Sequence, residues 1–147
     1  YEKYSKSGTK IIGLRYFNIF GQGQTLEYAG VITKFLDRIR AKKPPIIFGD
    51  GSQIRDFIFV EDIVMANILA MKSNISNSLI NVGTGNAITI LELAHMIIEI
   101  SKLNLNPIFE KPLEGDIKKS HADITLATKS LNWKPGKNLR EWLTEII

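Results

Sequence analysis

Arg55 is the residue of this 147-residue chain best placed to do chemistry. It follows the turn Gly49-Asp50-Gly51-Ser52 and directly precedes the β-forming run DFIFV, so its guanidinium emerges at the rim of a two-stranded ribbon. A planar fork of donors at such a rim suits a phosphate or a carboxylate. The alternative is a structural salt bridge to Asp56 or Asp50. Asn18 is the second candidate. It lies in LRYFNIFGQGQ, Leu14 to Gln24, at the carboxyl end of an apolar strand, which is where open α/β sheets bind ligands. Its amide can donate to a phosphate oxygen while accepting from a backbone group; the alternative is a turn asparagine with a left-handed backbone. Burying a neutral polar group without partners costs roughly 2 to 7 kcal/mol, so polar residues at the end of a buried strand have something to hold. Asp116, after Gly115 in LEGDIKK, reads on its own as a turn acid.

Other chemistries are excluded or weak. A tyrosine four residues before a lysine on one helix face makes an acid/base pair, but Tyr1 is followed at that spacing by Ser5 and Tyr4 by Gly8. No catalytic residue is assigned. GQGQ and GTGN are glycine pairs without the third glycine of a dinucleotide fingerprint, and neither joins strand to helix at the right offset. The absence of cysteine removes thiolate nucleophiles, disulfides and cysteine-ligated metals together. His95 and His121 are too far apart, and too far from carboxylate clusters, for a zinc site; no metal is expected.

The net charge of +4 favours anionic partners, but the lysines are dispersed apart from Lys42-Lys43 and Lys118-Lys119. Without a basic stripe interleaved with aromatics, nucleic acid is not the expected partner. Apolar residues at 44% and charged residues at 23% are those of a globular chain. No apolar run reaches the roughly 18 residues of a membrane span, and the start of the chain has no signal-peptide pattern; no membrane association and a cytoplasmic setting are the expectations. The length suits one domain burying about two thirds of its unfolded surface.

These residues need elements to position them. YEKYSKSG reads as the end of a helix stopped by Gly8, as in a piece of a longer protein. KIIGLRY, Lys10 to Tyr16, predicts a strand buried on both faces, with a loop to Tyr28. Apolar residues at helical spacing predict a helix from about Ala29 to Lys42, stopped before Pro44-Pro45. Ile46 to Phe48 and Asp56 to Val60 read as strands, Glu61 and Asp62 as a helix start continuing through Ile63 to Lys72, and Asn77 to Val82 as a strand ended by GTGN. Thr89 and Glu92 form a capping box opening a helix to about Lys102. Pro107 to Glu110 reads as a strand, and two short helices follow, capped by Asp123 or Thr125 and by Asn138. Tyr16 and Phe17 read as core aromatics, Trp133 and Trp142 as packing anchors. Strands alternating with helices place the chain among α/β folds.

LRYFNIFGQGQ, YAGVITKFL, IIFGDGSQIRDFIFVEDI, INVGTGNAITILELA and GDIKKSHADITLATKSLNWKP, in this order and spacing, resemble the carboxyl half of an extended short-chain dehydrogenase/reductase. The nearest resemblance is to the NAD-dependent UDP-glucose and UDP-N-acetylglucosamine 4-epimerases. It covers essentially the whole chain and implies the carboxyl-terminal part of a Rossmann-like enzyme, residues 1–147 forming the small substrate-binding subdomain and the last strands of the large parallel sheet.

The resemblance implies that Asn18 and Arg55 bind a UDP diphosphate. It implies that Ile46 and Phe48, with Gly30 and Val31, form the uracil pocket, that Asp116 also binds substrate, and that Phe17 and Ile19 approach the nicotinamide of NAD. In the family, a tyrosine of a Tyr-x-x-x-Lys pair removes the sugar 4-hydroxyl proton while NAD takes hydride from C4. Neither that pair nor the glycine-rich NAD loop is in this chain, so the chain alone is expected to be inactive and not to hold NAD stably. Where the family has a second phosphate-binding arginine, two residues before the GD of the last block, this chain has Leu113; Lys111, Lys118 and Lys119 are the cations nearby. A dehydratase or decarboxylase of the same family is the nearest rival reading, and a non-catalytic binding or interaction module another. The strands at Lys10 to Tyr16 and Asn77 to Val82 are expected to self-associate, or to pair with an amino-terminal portion, through their open edges.

Overall fold

The computed structural model describes residues 8–23 and 30–147. The expected helix at YEKYSKSG, apart from Gly8, and the expected helix start at Ala29 lie outside the described residues. The long apolar segment at 10–20 divides into two strands that join different sheets. Strand β1, Ile12–Tyr16, pairs in parallel with β5, Ser78–Val82; after Phe17, strand β2, Asn18–Phe20, pairs in parallel with β4, Ile54–Phe59. β4 also pairs with β6, Ala87–Thr89, antiparallel, and with the two-residue β8, Lys119–Ser120. A third sheet joins β3, Ile46–Phe48, to β7, Ile108–Glu110, in parallel.

The helices are α1, Val31–Arg40, α2, Val60–Lys72, α3, Ile90–Ser101, α4, Thr125–Leu131, and α5, Leu139–Ile146. α1 ends at Ala41, ahead of Pro44, and Arg38 donates from Nε to the Pro44 carbonyl. α3 opens on the expected capping box: Thr89 accepts from the Glu92 N–H while the Glu92 carboxylate accepts from the Thr89 N–H. That exchange satisfies donors the first turn leaves free. Asn138 caps α5 through the Arg140 N–H. α4 has no side-chain cap at Ile124, although Asp123 Oδ1 accepts from the Thr125 N–H just upstream.

Side chains alternate across a strand with period two, and β4 uses this to divide the core. Phe57 faces a cluster in which α1, α3 and α5 pack Phe35, Ile39, Leu93, Ile97, Trp142 and Leu143 together. Ile58, on the other face, joins Ile63 and Ala66 of α2, Ile80 and Val82 of β5, and Trp133. Both tryptophans are buried packing residues, and the Trp133 indole N–H donates to the Asp62 carbonyl at 3.0 Å.

Some local expectations need correction. β1 is not buried on both faces: its residues grade from partly buried to exposed, because β5 is its partner on one side and no described strand pairs with the other. Tyr16 is no core aromatic but is 44% exposed, its hydroxyl donating to Asn67 Oδ1. β4 begins at Ile54 rather than Asp56, and α2 begins at Val60 rather than at Glu61.

Candidate functional site

β4 turns consecutive side chains to opposite sides, and the site is built on that alternation. Asp56 points inward and is fully buried. Its Oδ1 accepts from the Thr84 N–H at 2.7 Å and the Thr84 hydroxyl at 2.6 Å, and its Oδ2 accepts from the N–H groups of Gly85 at 2.9 Å and Ala122 at 3.2 Å. A buried carboxylate is tolerated when its lone pairs are met this way. The GTGN turn is therefore a cradle for the chain's own carboxylate. Gly83 is required beside it, since a Cβ there would stand 3.0 Å from Asp56 Oδ2 and 2.5 Å from Ala122 Cβ.

Arg55 points the other way, into a cavity of about 250 Å³. Its Nη2 forms an ion pair with Asp116 Oδ1 at 2.6 Å, and its Nη1 donates to the carbonyls of Ile54, at 2.9 Å, and Ile117. The salt-bridge alternatives named from sequence, Asp56 and Asp50, are thus both incorrect. Asp56 lies on the opposite face, and Asp50 is turned back on its own loop, accepting from the Ser52 N–H and hydroxyl. Those bonds, the hydroxyl first, hold the Asp50 carboxyl below its usual range. Of Arg55's five N–H donors, Nε–H and one on Nη2 remain uncommitted among the described residues.

The other sequence candidates meet at the same place. Asn18 lines the cavity from β2, and its Nδ2 donates to the Asp56 carbonyl at 3.0 Å, tying it to β4. It is a strand residue without positive φ, so the turn-asparagine alternative is set aside. Gly30 and Val31 enter from the start of α1, Ile46 and Phe48 from β3, and Asp116 from the loop before β8. Phe35 and Ile90 extend the apolar wall.

Sequence reasoning missed Lys34 and Gln53 on the lining, whereas Leu113, matched to the family's second phosphate-binding arginine, lines the cavity as that match implies. The signal for Lys34 was its helical spacing from Val31, which puts both on one face. Gln53 donates to the Phe48 carbonyl at 2.6 Å and to Asp116 Oδ2 at 3.2 Å, while its Oε1 is buried with no partner among the described residues.

A second cavity, of about 310 Å³, lies between the GTGN turn and the loop before α5. Its polar rim is already engaged: Thr84 binds Asp56, Asn138 caps α5, and Arg140 pairs with Glu99 at 2.8 Å. That pairing, through a hydrogen bond and charge attraction, lowers the Glu99 carboxyl and raises the Arg140 guanidinium. The cavity at Arg55, by contrast, keeps uncommitted donors among the described residues. Among the described residues no group of acidic or histidine side chains could hold a metal ion, and no helix is long and apolar enough to cross a membrane.

Residues 1–83 match the NAD-dependent epimerase/dehydratase family. The chain belongs to this family. The solved structure of a UDP-glucose 4-epimerase from Thermotoga maritima with UDP-glucose is 36% identical, with a TM-score of 0.91 over 97% of this chain and 47% of that one. A UDP-N-acetylglucosamine 4-epimerase from Methanobrevibacter ruminantium, in complex with UDP-N-acetylmuramic acid, is 38% identical, with a TM-score of 0.88 over 98% of this chain and 47% of its own. UDP-glucuronic acid decarboxylase 1 of Arabidopsis thaliana is 30% identical over 141 residues, covering 96% of this chain and 32% of its own. The family is thus one of UDP-sugar-modifying enzymes, and its fold is the Rossmann-like α/β arrangement expected from the sequence. The chain spans between 30% and 49% of the curated relatives' length.

Membership raises the fit of the family's NAD to the residues present. Phe17 donates its N–H to the Val82 carbonyl at 3.1 Å, and Ile19 packs against the second core cluster, so both flank Asn18 without lining its cavity. In the GTGN turn the Thr84 and Gly85 N–H groups are spent on Asp56 and the Asn86 N–H on Thr84 Oγ1, and Gly21 approaches Val60 so closely that a Cβ would stand 2.5 Å from it.

Proposed function

We propose that this chain is the carboxyl-terminal, mainly substrate-binding portion of a cytoplasmic, NAD-dependent UDP-sugar 4-epimerase, and that the cavity at β2 and β4 takes the UDP part of the substrate. One observation carries the reading: Asn18, Gly30, Val31, Ile46, Phe48, Arg55 and Asp116, singled out in sequence, all line one cavity.

UDP offers what the lining lacks. The apolar wall of Val31, Phe35, Ile46 and Phe48 suits the face of a base. The orphaned Gln53 Oε1 needs a donor, which a ribose hydroxyl supplies. Arg55 and Asn18 keep N–H donors for diphosphate oxygens. A volume of about 250 Å³ falls below the roughly 300–1,000 Å³ of complete ligand pockets, in keeping with a site finished by further chain. When bound in the complete enzyme, NAD supplies oxidation and re-reduction at C4; the residues here bind and orient the nucleotide, and the chain alone does not turn over.

Calorimetric titration with UDP and UDP-N-acetylglucosamine tests this. Saturable binding, weakened about tenfold or more by Arg55→Ala, is expected, and a folded chain that binds neither ligand overturns the reading. The likeness to the Arabidopsis decarboxylase supports a second reading, in which the same UDP cavity serves a decarboxylase. Joined to an NAD-binding portion, a chain that released carbon dioxide from UDP-glucuronate without interconverting UDP-glucose and UDP-galactose would decide for it. A third reading, a non-catalytic binding or interaction module, predicts that the joined protein does neither.

A further inference from the structure

Resting on the UDP reading, we infer that Lys34 supplies the free positive charge for the diphosphate, a contact that no sequence pattern assigns to it. The inference starts from the charge balance of the cavity. Arg55 and Lys34 are its cationic lining residues and Asp116 its acidic one. Arg55 has donors to offer, but with Asp116 2.6 Å from its Nη2 the pair carries no net charge. Leu113 brings none. The negatively charged diphosphate of a UDP-sugar would then enter a lining that, among the described residues, is neutral apart from Lys34.

Lys34 is suited to the task. It is exposed, lines the cavity mouth from α1, and none of the ion pairs among the described residues includes it. Its neighbour on the helix, Asp37, is engaged with Arg40 at 3.6 Å. Its position is also unfavourable for the helix. A cation close to a helix start opposes the macrodipole, and the first turn of α1 holds no acidic residue to offset it. Helix end and lysine therefore add their positive potential at the cavity instead of cancelling. Other cations near the site in sequence do not serve: Lys118 lines the neighbouring groove with Phe109 and Glu110, and neither Lys111 nor Lys119 lines this cavity.

The ammonium is a point charge with three donors on a flexible stem, so it meets phosphate oxygens rather than the base or ribose. This predicts a specific pattern across ligands. Lys34→Ala should weaken UDP and UDP-sugars about tenfold, leave uridine unchanged, and flatten the salt dependence of UDP binding. Lys34→Arg should restore most of the affinity. Because the side chain is exposed, all variants should melt within about 2 °C of the parent, which checks that folding is intact.

The experiment is calorimetry of the 147-residue chain and its Lys34→Ala, Lys34→Arg and Arg55→Ala variants with uridine, UMP and UDP at low and high salt. A UDP-selective loss in Lys34→Ala, rescued by arginine, supports the inference. Parent-like UDP affinity in Lys34→Ala alongside a loss in Arg55→Ala overturns it while the UDP reading stands. An equal loss for uridine and UDP also overturns it, since the contact would then lie away from phosphate. A folded parent that binds no UDP overturns both.

Discussion

Replacing Asp56 by alanine is predicted to be among the most damaging single changes in this chain, although the residue does not line the cavity at Arg55. The carboxylate is fully buried and accepts from the backbone N–H groups of Thr84, Gly85 and Ala122. The Thr84 hydroxyl, a further donor, can fall back on the Asn86 carbonyl at 2.8 Å. Alanine therefore strands the three backbone donors, at about 1 kcal/mol or more apiece once water has partly entered the gap. The total is about 3 to 5 kcal/mol, against roughly 7 to 20 kcal/mol for a chain of this size. Asparagine keeps the volume but turns an N–H₂ toward donors, for a loss of about 2 kcal/mol.

The assay is urea unfolding followed by tryptophan fluorescence. Trp133 belongs to one core cluster and Trp142 to the other, so the signal reports both halves of the fold. With slopes of about 1–3 kcal/mol per molar urea, the Asp56→Ala midpoint should fall by about 1 M or more. A loss below about 1 kcal/mol with an unchanged slope would refute the reasoning, since stranding these donors cannot be that cheap. Alanine keeps the Asp56 backbone carbonyl, so the Asn18 bond that ties β2 to β4 is not itself removed in this variant.

Further outcomes follow from particular contacts. Gly83→Ala should destabilise by about 1–3 kcal/mol in the same assay, because its Cβ would stand 2.5 Å from Ala122 Cβ. Thr89→Ala should cost about 1 kcal/mol by removing the α3 cap. Hydrogen bonds from Thr89, the backbone N–H first, hold the Glu92 carboxyl below its usual value of 4.5. A depressed folded-state pKa contributes stability above the unfolded value and loses it as pH falls through the folded one. The stability gap between parent and Glu92→Gln should therefore be present at neutral pH and shrink as the pH drops below 4.5. The edges of β1 and β5 that no strand among the described residues covers, with Leu79 50% exposed, predict concentration-dependent self-association in sedimentation; a clean monomer across a wide range would contradict it. Purified alone, the chain should not convert UDP-galactose to UDP-glucose, and measurable turnover would contradict its proposed role.

Much of the fold was legible because long periodic segments announce themselves. The capping box at Thr89 and Glu92, the Asn138 cap and the apolar faces of α1 and α3 stand where the sequence puts them. β6 and β8 were not foreseen, since strands of three and two residues carry no readable period. β2 was hidden for the same reason: Asn18–Phe20 fell in the segment read as a loop after Tyr16, and three residues do not show that the chain goes on into a second sheet.

At the site, Arg55 was legible as a donor fork but its setting was not. β3 pairs with β7 and β4 with β2, β6 and β8, so the expected two-stranded ribbon of β3 and β4 does not form. The partner of Arg55, Asp116, lies in a distant loop with no local pattern linking them. Alternation along β4 did carry one overlooked message. Adjacent strand residues face opposite sides, so a pair between Arg55 and Asp56 was disfavoured from the start, and an acid facing inward had to find donors of its own.

The central claim, that UDP occupies the cavity between β2, β3, β4 and α1, is tested most directly by following backbone amide resonances of the chain during titration with UDP. The account predicts saturable shifts concentrated at Asn18, Gly30, Val31, Phe48, Gln53 and Arg55, with Gly136 and Asn138 of the second cavity unmoved. Shifts confined to the second cavity, or none from a folded sample, would contradict it.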